Sequence, residues 1–491
     1  MFEKITPESA GISSDAVTKL ITLMEKSGCA THGIIMMKEG KVFAENYWAP
    51  FHQDFCHRLY SQTKSFVSVA IGLLVEEGKV DINEKIITYF PEKLPPVLMR
   101  FQDTLTVRDM LTMCTAGSPD WWFCSDEVDR TRLYFTTQQA PHRSGTYWEY
   151  DSSGSQVLSS LVEKLANKSL FDYLNEKLFR HMGTFKTATI LKTKSDDSWG
   201  DSAMVCTLRD VASFGQLVMN YGVYDGKRLM GEEYLREATK NQVSNREDGH
   251  FHFLHQGYGY QIWRVQNNGF AFVGMGDQLT LCYPDKDLLF AFVSDNQGND
   301  FLRPYIVSAF NELIVEKISD TPLPENKSAA TRYNRATKNL KLRAVTGIEN
   351  DTLKNKINGV TYACENNPMG ISKFTFTFNG KKGVFTYHNA QGKKKIPFGI
   401  NHNVFGKFPQ LGYSNEHGGV ATSDGFKYDD AVSLAFTDER TLVLFVQIID
   451  RYFGNMSAVF SFNDDYVSAR FSKTAEFFLD EYSGRLVGKK Q

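Results

Sequence analysis

Phe55-Cys56-His57-Arg58-Leu59-Tyr60-Ser61-Gln62-Thr63-Lys64, followed by Ser65-Phe66-Val67-Ser68-Val69-Ala70-Ile71-Gly72-Leu73-Leu74-Val75, joins an extended segment to an apolar helix. Ser61-Gln62-Thr63-Lys64 sits at the joint. At the start of a helix, residues i and i+3 share a face, so the Ser61 hydroxyl and the Lys64 ammonium can meet. The N–H groups of a first helical turn have no intrahelical partner and face the same space. An oxygen, an adjacent amine and N–H donors together meet the needs of a serine nucleophile: a base for its proton and a cradle for a developing oxyanion. The tetrapeptide recurs by chance in long chains, so its placement at the head of an apolar helix carries the reading.

Two other segments suit the same chemistry. Tyr150 lies in Gly145-Thr146-Tyr147-Trp148-Glu149-Tyr150-Asp151-Ser152-Ser153-Gly154, whose polar end is a turn opening a helix over 155–166. A phenol on such a turn can project into a cleft and relay a proton to and from a serine. In Phe270-Ala271-Phe272-Val273-Gly274-Met275-Gly276-Asp277-Gln278-Leu279, glycines inside a strand pattern point to close approach by another group, a ligand among them, or to a β-bulge. A backbone N–H here, facing that of Ser61, completes a two-donor oxyanion hole.

The 491 residues exceed what one core usually supports, so two domains are expected. A hydrophobic share of 42% with 23% charged residues is that of a soluble globular chain. A net charge of −2 argues against nucleic acid or an anionic membrane as partner, and Lys393-Lys394-Lys395 reads as a solvated loop. There is no apolar run of membrane-spanning length and no signal-peptide pattern at Met1-Phe2-Glu3-Lys4-Ile5. The seven cysteines are scattered without C-x-x-C spacing, so a cytoplasmic location is expected.

Residues 1–320 alternate helical and strand patterns. Ile34 to Glu45 reads as a hairpin turning at Glu39-Gly40; helices are expected over 64–77, 106–113, 153–166 and 207–220, the last capped by Thr207 with Asp210 at its third position. Strands return over 258–265, 269–273, 278–283 and 288–294, which implies one antiparallel sheet packed with helices. The proline-containing segment 321–345 reads as a linker, and the short alternating runs of 346–491, such as Lys373 to Phe378 and Thr441 to Val446, as an all-β barrel or sandwich.

Together the three segments resemble the serine β-lactamase and penicillin-binding-protein superfamily, and within it the class C β-lactamase-related hydrolases: esterases, D-aminopeptidases and 6-aminohexanoate-dimer hydrolases. The resemblance covers roughly residues 1–320 and also takes in Leu105 to Met113 and Thr207 to Gly215. Ser61 and Lys64 match the first motif, Tyr150-Asp151-Ser152 falls at Tyr-x-Asn, and Phe272-Val273-Gly274 falls at the Lys-Thr-Gly or His-x-Gly triplet. The implied fold is α+β: a β-lactamase-like antiparallel sheet flanked by helices, with an all-helical insert, followed by a C-terminal antiparallel β-barrel-like domain. The implied catalytic residues are Ser61, Lys64 and Tyr150, with the oxyanion held by the N–H groups of Ser61 and Met275.

The departures bear on substrate. Ser152 replaces an asparagine that in the family helps orient the substrate amide and the lysine. Phe272 replaces a cation that attracts a substrate carboxylate, a charge-assisted contact of roughly 1.5–3 kcal/mol. β-Lactams and cell-wall carboxypeptidase substrates are therefore disfavoured, and a neutral or differently anchored ester or amide is expected. Ser152, Phe272, Gly274, Trp121 and Trp122 are candidate substrate-binding residues, the tryptophans either lining an acyl pocket or serving as core. Asp277 is either an anchor for a substrate amine or a solvent-facing turn carboxylate. His250, His252 and His255, near Glu247 and Asp248, are the candidates for a metal, but the chemistry needs neither metal nor cofactor. Expected partners are a small molecule or short peptide only. Readings beside an ester or amide hydrolase are a D-stereospecific aminopeptidase or transacylase, and a sensor that acylates without turnover.

Overall fold

The computed structural model describes residues 2–119, 128–137, 140–246, 254–299, 301–420, 422–475, 479 and 482–491. The chain divides into two compact units: residues 1–296, 300–341 and 415–418 form the first, and 297–299, 342–414 and 419–491 the second.

In the first unit, helix α1 (Ser14–Lys26) precedes the hairpin of β1 (Thr31–Lys38) and β2 (Lys41–Tyr47). Its turn residues Glu39 and Gly40 both have positive φ, 52° and 73°, as the tight turn requires. A short β3 (Cys56–Arg58) leads through the one-turn helix Tyr60–Gln62 into α2 (Thr63–Glu76). Residues Thr63 to Leu74 of α2 are all buried, the fate of a helix that is apolar on every side. Then come α3 (Ser152–Ala166), β4 (Met204–Thr207) and α4 (Leu208–Met219), whose start is fixed by the reciprocal capping box of Thr207 and Asp210. Strands β5 (Trp263–Arg264), β6 (Phe270–Gly274), β7 (Gln278–Tyr283) and β8 (Leu288–Ser294) and helix α5 (Leu302–Phe310) follow.

Six of these strands form one antiparallel sheet, in the order β2-β1-β8-β7-β6-β5, while β3 pairs with β4 in a separate small sheet. Its faces serve two cores: Ile35, Met37, Phe270 and Phe272 pack with α2 and α4, whereas Ile34, Met36, Ala271 and Val273 pack with α1 and α5. The period of two that divides them is that of the pleat. The expected strand over 258–265 shrinks to Trp263–Arg264, because Gly257 and Gln261 take positive φ, 104° and 57°. The segment expected as a linker includes helix α6 (Lys327–Thr337), capped by Asn326 and held in the first unit by a two-pronged Arg332–Asp15 ion pair at 2.7 and 2.9 Å.

The second unit holds β9 (Thr361–Cys364), β10 (Lys373–Asn379), β11 (Lys382–Asn389), β12 (Gly392–Ile400), β13 (Val404–Lys407), β14 (Asp429–Phe436), β15 (Thr441–Ile449), β16 (Phe453–Asn463), β17 (Tyr466–Thr474) and β18 (Gly484–Lys490). Nine of them close into a barrel through one parallel pair, β12 with β14, and β13 pairs with β14 outside the ring. Phe374, Phe376, Phe385 and Phe471 crowd around Phe460 with centroids 5.0–5.5 Å from it, so aromatic side chains fill this interior. Lys393-Lys394-Lys395, expected as a loop, lies in β12, where the alternation exposes Lys393 and Lys395 and buries Lys394.

Candidate active site

The residue before the expected nucleophile is strained. Tyr60 has a φ of 49°, a left-handed backbone that a bulky residue enters at a cost of about 1–3 kcal/mol. Burial holds it there: Tyr60 is 1% exposed, and the Arg58 guanidinium lies 4.4 Å from its ring centroid. Arg58 also binds the Ser202 carbonyl at 3.0 Å and the Ser202 hydroxyl at 2.8 Å, tying β3 to the loop that carries Asp201.

Ser61, half-buried, follows this kink at the foot of α2. Lys64 Nζ lies 3.1 Å from Ser61 Oγ and donates to the Asp201 carbonyl at 2.7 Å. The Asp201 carboxylate stands 3.9 Å from the same ammonium, with the side chains 2% and 1% exposed. A buried ammonium thus has its counter-charge beside it, close to the candidate nucleophile. Sequence reasoning missed Asp201: in Ser198-Trp199-Gly200-Asp201-Ser202 no motif or period marks it.

Tyr150 belongs to the same cluster, with its ring centroid 5.1 Å from Lys64 Nζ. The ring stacks on Trp263 at 5.7 Å and 20°, and the next residue anchors its backbone. Asp151 caps α3 by accepting from the Gly154 N–H at 3.0 Å; Thr115 and Ser118 donate to it at 2.9 and 2.8 Å, and the Ser153 hydroxyl adds a further bond. Gln261 is a second connector that the sequence did not reveal. Its carbonyl accepts from Ser65 at 2.8 Å, its amide oxygen from Ser155 at 2.7 Å, and its amide nitrogen donates to the Met110 carbonyl at 2.7 Å. One buried residue, through its backbone carbonyl and its side-chain amide, thereby fixes α2, α3 and the helix Val107–Leu111 together.

The close approach expected at the glycines is real at Gly274, and the group that approaches is protein. A Cβ there would sit 2.1 Å from the Leu59 carbonyl oxygen, two residues before Ser61. Gly276 lies in the Met275-Gly276-Asp277 loop that returns β6 to β7, with Gly274 paired to Gln278, and not in a strand. Met275 is half-buried beside this contact. We expect Gly274→Ala to push β6 off the Leu59 carbonyl, costing about 1–3 kcal/mol and at least tenfold in turnover. Thermal unfolding and esterase assays of that variant check it; unchanged values would mean that the contact positions nothing.

Two sequence expectations change. Phe272 is fully buried, its ring 5.3 Å from that of Phe214, so it faces the core and not a substrate. Asp277 is neither solvent-facing nor free for a substrate amine: it is 4% exposed, bound by Arg303 Nε at 2.6 Å and Asn296 Nδ2 at 2.9 Å. Ser152 is the half-buried first residue of α3, one residue from the Asp151 cap. Trp121 and Trp122, and Glu247, Asp248, His250 and His252 of the possible metal set, lie outside the described residues. Among the described residues no three His, Cys, Asp or Glu side chains converge as metal ligands, and no helix is long and apolar enough to cross a membrane.

The Beta-lactamase family matches residues 18–307, more than half of the chain, and the chain belongs to that family. It is an enzyme, a serine hydrolase of the amidase and esterase type. It is 25% identical to the 6-aminohexanoate-dimer hydrolase of Paenarthrobacter ureafaciens over 293 residues, 55% of this chain and 74% of that protein. It is 30% identical to the N-acetylmuramyl-L-alanine amidase of Bacillus subtilis (strain 168) over 206 residues, 36% of this chain and 47% of that protein. The D-amino acid amidase of Ochrobactrum anthropi SV3 shares the fold, with a TM-score of 0.50 and 16% identity over 62% of this chain and 99% of that one.

Proposed function

We propose that the chain hydrolyses an amide or ester of a small molecule or short peptide through a covalent Ser61 intermediate. The observation that carries this is the 3.1 Å contact between Lys64 Nζ and Ser61 Oγ, with Tyr150 at the same ammonium. Ser61 Oγ attacks the carbonyl carbon while its proton passes to the Lys64–Tyr150 pair, which enters this step one proton short, as a neutral amine or a phenolate. The N–H groups of Ser61 and Met275 hold the tetrahedral oxyanion, each donor contributing about 3 kcal/mol at the transition state. Collapse of that intermediate expels the amine or alcohol, which takes the proton from the pair. Water, deprotonated by the same pair, then adds to the acyl carbon and releases Ser61.

Amides are favoured over esters as natural substrates, a reading supported by the names of the two relatives reported above, a 6-aminohexanoate-dimer hydrolase and an N-acetylmuramyl-L-alanine amidase. Phe272 faces the core, so the third motif presents no cation and the substrate needs no carboxylate at that point. A panel of nitrophenyl esters, linear ω-amino acid dimers, D- and L-amino acid amides and a cephalosporin tests the reading. Multiple turnovers on esters and on at least one amide, with little on the cephalosporin, are expected. Preference for D-amino acid amides would make it a stereospecific amidase; a single burst without turnover on every member would make it an acylated sensor and overturn the hydrolytic cycle.

A further inference from the structure

The turn that carries Met275 is held carbonyl by carbonyl. Gln278 Nε2 donates to the Met275 carbonyl at 3.2 Å, while the Gly276 carbonyl accepts from the Ser294 hydroxyl at 2.6 Å and the Asn296 N–H at 3.1 Å. The Gly274 carbonyl, one residue earlier, accepts from Arg303 Nη2 at 3.4 Å. Arg303 is aimed by a second bond, from its Nε to Asp277 Oδ1 at 2.6 Å, and Asn296 Nδ2 holds the other carboxylate oxygen at 2.9 Å. One guanidinium thus spans both ends of the turn, with the two side chains of the ion pair 15% and 5% exposed.

Stability alone explains this arrangement poorly. Arg303 is the second residue of α5, where a cation opposes the positive end of the helix dipole. In a buried ion pair, desolvation offsets much of the attraction. What the contact fixes is a direction. The Gly274 carbonyl and the Met275 N–H belong to one peptide unit, which is planar and trans, so they point opposite ways. A guanidinium on the carbonyl oxygen sets the plane of that unit and polarises it, which strengthens the N–H as a donor. The same glycine lies against the Leu59 carbonyl, 2.1 Å from where a Cβ would sit, which puts this peptide beside the Ser61 loop.

We propose that Arg303 is a positioning residue for the oxyanion hole: bound to Asp277, it holds the Gly274 carbonyl so that the Met275 N–H points toward Ser61. The inference rests on the acyl-Ser61 cycle with Met275 as a donor. Kinetics on a nitrophenyl ester beside its thionoester test it, because a thiocarbonyl sulfur is a weak acceptor and draws little from the hole. In Arg303→Met the Asp277 carboxylate would stay buried without its guanidinium, so Arg303→Met/Asp277→Asn is the variant to measure. Asparagine keeps the side-chain shape at 277 and tolerates its φ of 66°. The double variant should lose about tenfold or more in kcat on the ester, with KM within about twofold, and change little on the thionoester. The preference for oxygen over sulfur then shrinks by about the same factor. Arg303→Lys, whose single ammonium cannot serve both acceptors in one plane, should show the same shift more weakly. Proportional losses on both substrates, or an unchanged preference in both variants, would overturn the proposal and leave Arg303 as a brace of the turn. A parent that turns over ester and thionoester equally would overturn the oxyanion-hole reading itself, and this inference with it.

Discussion

Lys64→Met should lower kcat/KM about 10³–10⁴-fold, because it removes the amine that contacts Ser61 Oγ at 3.1 Å and lies 5.1 Å from the Tyr150 ring. Methionine nearly matches the lysine stem in the buried space, so the loss reports chemistry more than packing. Removing one partner of a buried ion pair also costs about 3 kcal/mol, since the Asp201 carboxylate keeps its burial and loses the ammonium 3.9 Å away. The double variant Lys64→Met/Asp201→Asn separates the two effects. It should regain most of the stability and none of the activity. A Lys64→Met protein that turns over within tenfold of the parent would remove Lys64 from the proton path.

The second large effect is on stability in acid. His57 and His32 are buried at the base of β3 and β1, His32 stacked on Phe51 at 3.7 Å and the two imidazoles 5.3 Å apart. Burial pushes His57 down to about 3 and His32 well below its usual value, each opposed further by a neighbouring imidazole. Both are therefore neutral in the folded chain at pH values where the unfolded chain has protonated them. The unfolded state binds more protons between about pH 6.5 and 3, so stability present above pH 6.5 is lost as pH falls through that window. His57 alone accounts for on the order of 4 kcal/mol by its lower end. All six tryptophans lie between residues 48 and 263, so their fluorescence reports unfolding of the first unit alone. Urea midpoints at pH 7 and pH 4.5 should fall steeply for the parent and less for His57→Phe. Equal falls in both proteins would assign the acid sensitivity to other groups.

Much of the fold was legible because its signals are local. The hairpin turn at Glu39-Gly40, the capping box at Thr207 and Asp210, and the apolar run of α2 each declare an element without tertiary help. The barrel strands showed wherever aromatics alternate, but β12 was hidden by its lysines, because a long stem allows Lys394 to occupy a buried position. Within the candidate site, Ser61 and Lys64 were visible because one turn of helix brings them together. Tyr150 was suggested by the polar turn it sits on and made specific by its motif. Asp201 and Gln261 come from distant loops, 137 and 196 residues from their partners Lys64 and Ser65, and sequence spacing cannot encode such meetings. Phe272 was placed correctly on its strand but assigned a substrate role that its side of the pleat denies it.

Covalent trapping tests the central claim most directly. Intact-mass measurement after exposure to a fluorophosphonate should show one adduct per chain, with peptide mapping placing it on Ser61, and Ser61→Ala should take up none. Stoichiometric labelling of the Ser61→Ala protein, or an adduct mapped to another residue of the parent, would contradict the assignment of Ser61 as the nucleophile.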